Sequence, residues 1–195
     1  MDRRKALKSF AALGIAAFLA PEIPFREYEE EKIHFIGLGG GGTNVLKSIH
    51  KKGAQGKFFS INSQKRELPN DIQYIHQESS ASLSSEVKSL LAGNKRIVLI
   101  SCLGGITGTA LFKRLNFYLA EHNKKFISVC TLPFGFEGKR RQKIALQTKS
   151  ELSHLPNIKF LNLKYIQDNY GHLTIKDAFF KADEMVYLKM KEGLG

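Results

Sequence analysis

Two glycine-rich turns carry the residues best suited to chemistry in this chain. Gly39-Gly40-Gly41-Gly42-Thr43-Asn44 follows the strand-like His34-Phe35-Ile36, and Gly104-Gly105-Ile106-Thr107-Gly108-Thr109 follows Ile97-Val98-Leu99-Ile100. Glycine lets a backbone approach phosphate oxygens and adopt positive φ, while the first N–H groups of a following helix donate hydrogen bonds to the anion. One such turn is a weak sign. Two of them, each between an apolar strand and a helix-like stretch, predict backbone cradles converging on one phosphorylated ligand.

The elements that must position these turns follow from the hydrophobic pattern. Strands are predicted over residues 32–37, 57–61, 72–76, 96–101, 126–131 and 158–163. Helices are predicted over about 44–52, 84–92, 109–122, 139–154 and 175–191. Strands alternate with helices, and runs such as Ile97-Val98-Leu99-Ile100 are apolar on both faces. The expected architecture is therefore α/β: a three-layer, Rossmann-like parallel sheet with helices on both faces, in a single domain. In such folds ligands sit at the carboxyl ends of the strands, where both glycine turns fall.

The 195 residues, 43% of them hydrophobic, suit one core and one tail. A formal net charge of +12 favours anionic partners. The basic residues are scattered, however, and Lys139-Arg140-Arg141 is the compact triple beyond the N-terminus. No aromatic-interleaved basic face marks a nucleic-acid binder, so nucleic acid is not an expected partner. Cys102 and Cys130 lack zinc spacing and read as small hydrophobes near strand ends; neighbouring strands would bring them within reach of each other.

Residues 1–24 read as a separate segment. Arg3-Arg4-Lys5-Ala6-Leu7-Lys8 precedes an uncharged run, Phe10 to Ala20, that is too short to span a bilayer as a helix. It resembles a twin-arginine export signal, with an amphipathic basic helix that touches a membrane as the alternative. The first reading implies export; the second implies a membrane tether, and a cytoplasmic location if the segment is not a signal. Residues 25–31, ending in Glu29-Glu30-Glu31, read as a linker to a domain over 32–195.

Gly37, Gly39 and Gly42 satisfy the dinucleotide-binding spacing, but the second strand ends in Asn62-Ser63 rather than an acid. Lys65 and Arg66 keep an NADP variant open. The fuller match is to the tubulin/FtsZ GTPase family, which the chain resembles from about Lys32 to Lys191. Gly39 to Asn44 is similar to that family's first phosphate loop, and Gly104 to Thr109 to its glycine-threonine signature. Thr131-Leu132-Pro133-Phe134-Gly135-Phe136-Glu137-Gly138 resembles the sugar-binding loop of its bacterial members, and Phe59 to Ser63, which includes Asn62, the start of its second loop. The resemblance implies GTP or GDP as ligand, with Mg²⁺ able to accompany GTP, and FtsZ-like subunits as candidate protein partners. It also implies that Glu137 holds the ribose, Arg141 reaches the nucleotide, Asn162 and Asp183 contact guanine, and Phe179 stacks on the base.

Simple chemistry agrees, because a guanine edge presents N–H donors to a carboxylate and an aromatic face supplies stacking. Each residue also has a plainer role open to it: Phe179 as core, Glu137 as a solvated loop acid, Asn162 as a partner of nearby backbone. The chain departs from the family pattern at several points. Serines fill the third loop, Ser79-Ser80-Ala81-Ser82-Leu83-Ser84-Ser85, and Gln64, Leu132 and Leu163 replace polar or charged residues. Ile106 is expected to crowd a phosphate. The sequence given reaches Gly195 before the loop that completes hydrolysis in the family, so binding with little or no GTP turnover is expected. A fold that keeps its shape but serves as an interaction module is the alternative.

Overall fold

Strand β1 (Ile33–Leu38) buries every residue after its first, and β4 (Arg96–Cys102) every residue between its ends, so both must lie inside a sheet covered on both faces. The computed structural model, which describes residues 33–170 and 173–194, places them side by side at the centre. The parallel register runs from Ile33 opposite Arg96 to Leu38 opposite Ser101. Outward from β1 come β2 (Lys57–Asn62) and β3 (Ile72–His76); outward from β4 come β5 (Phe126–Leu132) and β6 (Ile158–Asn162). The order of the six parallel strands is β3-β2-β1-β4-β5-β6. Edge strands β3 and β6 each expose their second and fifth residues, whereas the inner strands are almost wholly buried.

Successive side chains of a strand point to opposite faces, and the core divides accordingly. Phe35, Val98 and Ile100 pack with α1 (Gly39–Lys51) and α6 (Ile175–Leu194) through Leu46, Ile49, Val186 and Met190. Ile36, Ile97 and Leu99 pack on the other face with α2 (Ser85–Leu91), α3 (Ile106–Glu121) and α4 (Lys139–Leu152) through Val87, Leu115 and Leu152. The expected three-layer, doubly wound α/β architecture is the observed one.

Three details differ from expectation. Helix α1 begins at Gly39 rather than near Asn44, so the glycine run forms the helix's first turn instead of a loop ahead of it. A short 3-10 turn at Gly135–Glu137 and helix α5 (Lys164–Asn169) were not anticipated, being too short to show a period. Cys102 and Cys130 do lie on neighbouring strands, but Cys130 pairs with Ser101 and Cys102 with Thr131, which puts the two thiols on opposite faces; both are free. The export-signal and linker readings fall on residues 1–31, outside the described residues. No described helix is long and apolar enough to cross a membrane.

Local caps set the helix starts. Ser84 accepts from the Val87 N–H to begin α2, and Thr174 accepts from the Asp177 N–H while donating to its carboxylate to begin α6. The serine-rich stretch before α2 is held by side chains: buried Gln77 donates to the carbonyls of Glu78 and Ser82 and accepts from the Ser84 N–H. Arg114 on α3 donates to the carbonyls of Ser79 and Ala81.

His34 on β1 is buried against Phe59, and its Nδ1 has no partner. Burial first, then the charges of Lys95 and Lys57, lowers its pKa from 6.5 to about 4. The folded state thus holds this imidazole neutral where the unfolded chain would protonate it, so its contribution is complete above pH 6.5 and lost as the pH falls towards 4. His34→Leu should flatten that dependence. Across this interval, urea unfolding is expected to show wild type losing about 3 kcal/mol more stability than the variant.

Candidate functional site

The sheet order reverses between β1 and β4, and both glycine turns leave the carboxyl ends of these strands. Leu38 is still extended, and Gly39, at φ +66°, turns the chain directly into α1. A Cβ on Gly39 would sit 2.6 Å from the Gly108 Cα and N, so the first turns of α1 and α3 touch. Gly42 is equally confined, since a Cβ there would collide with the carbonyl of Ile100; one on Gly41 would lie 2.7 Å from the Cys102 Cβ. In the second turn Gly104, at φ +101°, lies under Arg141, and its N–H donates to Thr109 Oγ1 at 2.9 Å. Thr43 donates to the Gly39 carbonyl at 2.8 Å and pairs with Ser60 at 2.7 Å, while Ser101 donates to the Gly108 carbonyl.

Two helix N-termini therefore open onto one cavity of about 680 Å³. Of the residues singled out from sequence, Gly40, Gly41, Asn44, Asn62, Gly104, Gly105, Ile106, Thr107, Gly108, Pro133, Glu137, Arg141, Phe179 and Asp183 line it. Gly39, Gly42, Thr43 and Thr109 stand behind the wall as braces. Asn162 lies outside, exposed at the end of β6, where its Oδ1 accepts from the Lys164 N–H at 3.1 Å and helps to start α5. Ile106 is 72% exposed and stands at the rim, rather than filling the space before the amides.

The charges around the cavity are arranged in a definite way. Glu137 accepts from the Phe134 N–H at 2.9 Å through one oxygen and from Arg141 at 2.8 Å through the other. Burial raises the pKa of Asp183, opposed by a hydrogen bond from Ser48 and by the charge of Lys52. Cys102, below the first turn, is pushed up to about 11 by burial, against a hydrogen bond with Thr131, and so stays a thiol. Phe134 is fully buried, stacked on Phe136 with centroids 4.9 Å apart and edge-on to Phe179 at 5.2 Å; Phe179 keeps 43% of its surface exposed beside the cavity.

Arg66 and Arg140 also line the cavity. The guanidinium of Arg66 lies over the first turn of α1, so close that a Cβ on Gly40 would sit 2.7 Å from its Nη2. Sequence reading linked Arg66 only to a dinucleotide phosphate, because its loop carries no period that fixes its direction. Ser63 beside it bonds to Thr107 at 3.1 Å and ties that loop to α3. A magnesium ion prefers oxygen ligands, carboxylates above all. The two lining carboxylates, Glu137 and Asp183, lie on the β5 and α6 side of the cavity, and no group of three or more His, Cys, Asp or Glu among the described residues could hold a metal ion. No carboxylate lines the cavity at its β2 end, so the side chains there offer Mg²⁺ no acidic ligand.

Sheet order and cavity define the class: a doubly wound α/β domain with a phosphate-type cradle at its switch point. Comparison with known proteins narrows this. No protein-family model matches the chain. Over 178 residues it is 29% identical to cell division protein FtsZ of Aquifex aeolicus, covering 80% of this chain and 48% of that protein. The empty FtsZ dimer of M. jannaschii has the same fold, with a TM-score of 0.69 at 21% identity over 96% of this chain and 57% of that one. So does CetZ2 from Haloferax volcanii, a GTPγS-bound protofilament, with a TM-score of 0.63 at 15% identity over 84% of this chain and 57% of that one. The chain is a divergent FtsZ-like domain with the tubulin/FtsZ fold, and it spans about half the length of the curated relatives it matches.

The glycines of the turns are not equivalent. Gly42→Ala drives a methyl group into the Ile100 carbonyl, whereas Gly105, at φ −83°, has open space where a Cβ would go. Urea unfolding should show Gly42→Ala destabilised by about 2 to 3 kcal/mol. Gly105→Ala should stay within about 0.5 kcal/mol of wild type.

Proposed function

We propose that this domain binds a guanine nucleotide in the cavity at the β1/β4 switch point. The observation that carries the reading is convergence. Two helix N-termini, the half-exposed face of Phe179 and the carboxylate of Asp183 all reach one cavity of about 680 Å³. That volume suits a nucleotide. The backbone of Gly40, Gly41 and residues 106–108 receives the phosphates, helped by Arg140 and Arg141. Glu137, fixed by Phe134 and Arg141, presents its carboxylate towards the ribose hydroxyls. Phe179 offers a stacking face, and Asp183 accepts from the guanine N–H donors. Similarity to FtsZ supports this, as does the shared fold of CetZ2, which is GTPγS-bound.

Turnover by this chain alone is expected to be slow. Hydrolysis needs an oriented water and stabilised charge, and both carboxylates of the cavity are committed to binding geometry. Proteins that share the fold are described as dimers and filaments, which makes FtsZ-like subunits the favoured kind of protein partner.

Titration with fluorescent GTP, GDP, ATP and NADPH tests the ligand class. Saturable guanine-nucleotide binding, at least about tenfold tighter than ATP or NADPH, is expected. Absence of binding at millimolar GTP and GDP would remove the reading. Asp183→Asn should erase most of the preference over ATP, because an amide can present a donor to the guanine donors. Preference unchanged in that variant would leave Asp183 without its assigned role. Phosphate release in the same samples should stay near the buffer rate.

A further inference from the structure

Arg66 occupies a position that the nucleotide reading alone does not use. Its loop follows β2, whereas Glu137 follows β5, and Phe179 and Asp183 project from α6. Between the ends of β2 and β5 lie three interstrand spacings, roughly 14 Å at about 4.8 Å each. That is on the order of the length of a ribose with three phosphates. The base and ribose groups lie at the β5 and α6 end, so the phosphate chain runs towards β2, and its far end comes under the Arg66 guanidinium beside Gly40.

Among the described residues, no acid pairs with the charge at that end. Arg66 is exposed and has no ion-pair partner among the described residues. Both lining carboxylates, Glu137 and Asp183, belong to the β5 and α6 end, so no lining acid stands beside Arg66 to hold a divalent cation there. A guanidinium can bind two phosphate oxygens through its planar fork and stays protonated at all working pH values.

We propose that Arg66 grips the terminal phosphate and takes the place of a divalent cation there, which makes the site selective for a nucleoside triphosphate and able to bind it without Mg²⁺. The inference rests on the guanine-nucleotide reading and deepens it. Gly40 is part of the device, since a side chain there would displace the guanidinium.

The test measures GTP, GDP and inorganic tripolyphosphate binding to wild type, Arg66→Ala and Arg66→Lys, each in EDTA and in millimolar Mg²⁺. Wild-type affinity for GTP should change less than about threefold on removing Mg²⁺. In EDTA, Arg66→Ala should lose at least about tenfold for GTP and tripolyphosphate but less than about threefold for GDP, with Arg66→Lys between. Equal loss for GTP and GDP, no loss, or tenfold dependence of wild type on Mg²⁺ would overturn the inference while leaving the guanine reading standing. If wild type binds neither GTP nor GDP, that reading fails, and the tripolyphosphate arm alone decides Arg66: the inference then survives only as an Arg66-dependent polyphosphate site. Circular dichroism melting of each variant shows that the exposed substitution leaves the fold intact.

Discussion

The contact between Gly39 and Gly108 is the constraint on which the site depends. Two helices can direct their N-terminal amides at the same small volume only if their first turns touch, and a single Cβ on Gly39 would prevent it. The contact in turn requires β1 and β4 to be neighbours in parallel register, ending level at Leu38 and Ser101. It also requires the chain to pass from strand to helix within one residue, which Gly39 does at φ +66°. The hydroxyls of Thr43, Ser60, Ser101 and Thr109 then fix the two turns from behind. Remove any of these layers and the amides remain, but they no longer face one ligand.

Given that geometry, the electrostatics of the cavity acquire a direction along the sheet. Helix N-termini make the centre positive. Arg66 extends that charge towards β2, and Arg140 and Arg141 extend it towards β5. The acids are confined to the β5 and α6 side, where Glu137 is spanned by an N–H and a guanidinium and Asp183 is held by Ser48. A polyanion with a neutral, donor-bearing end has one orientation that satisfies this arrangement. Phe179 adds an apolar platform at the same end, backed by Phe134 and Phe136.

Much of this was legible in the sequence, for a physical reason. Strands buried on both faces must be continuous apolar runs, so β1, β4 and β5 announce themselves, and a glycine cluster directly after such a run is hard to explain by packing alone. The same reasoning misplaced the start of α1. Glycine's poor helix propensity suggests a loop, whereas here Gly40, Gly41 and Gly42 serve as a helical turn pressed against Cys102 and Ile100. Asn162 had the right residue type and strand but not the right exposure; only the turn into α5 shows its amide engaged with Lys164. Arg66 was legible only as a partner for a dinucleotide phosphate, because the direction of a loop side chain is set by tertiary contacts, here the Ser63 and Thr107 bond that ties its loop to α3.

The serine-rich segment before α2 is held by side chains and kept away from the cavity. Gln77 and Arg114 engage the carbonyls of Glu78, Ser79, Ala81 and Ser82, which fastens the segment to α3, and none of its residues lines the cavity. Recognition of a ligand's far end, on the inference drawn above, then falls to Arg66 beside Gly40. Backbone amides in a mobile glycine loop can read a phosphate and move when it leaves. A side-chain cation beside a turn fixed by the sheet reads the same charge with far less rearrangement of the backbone.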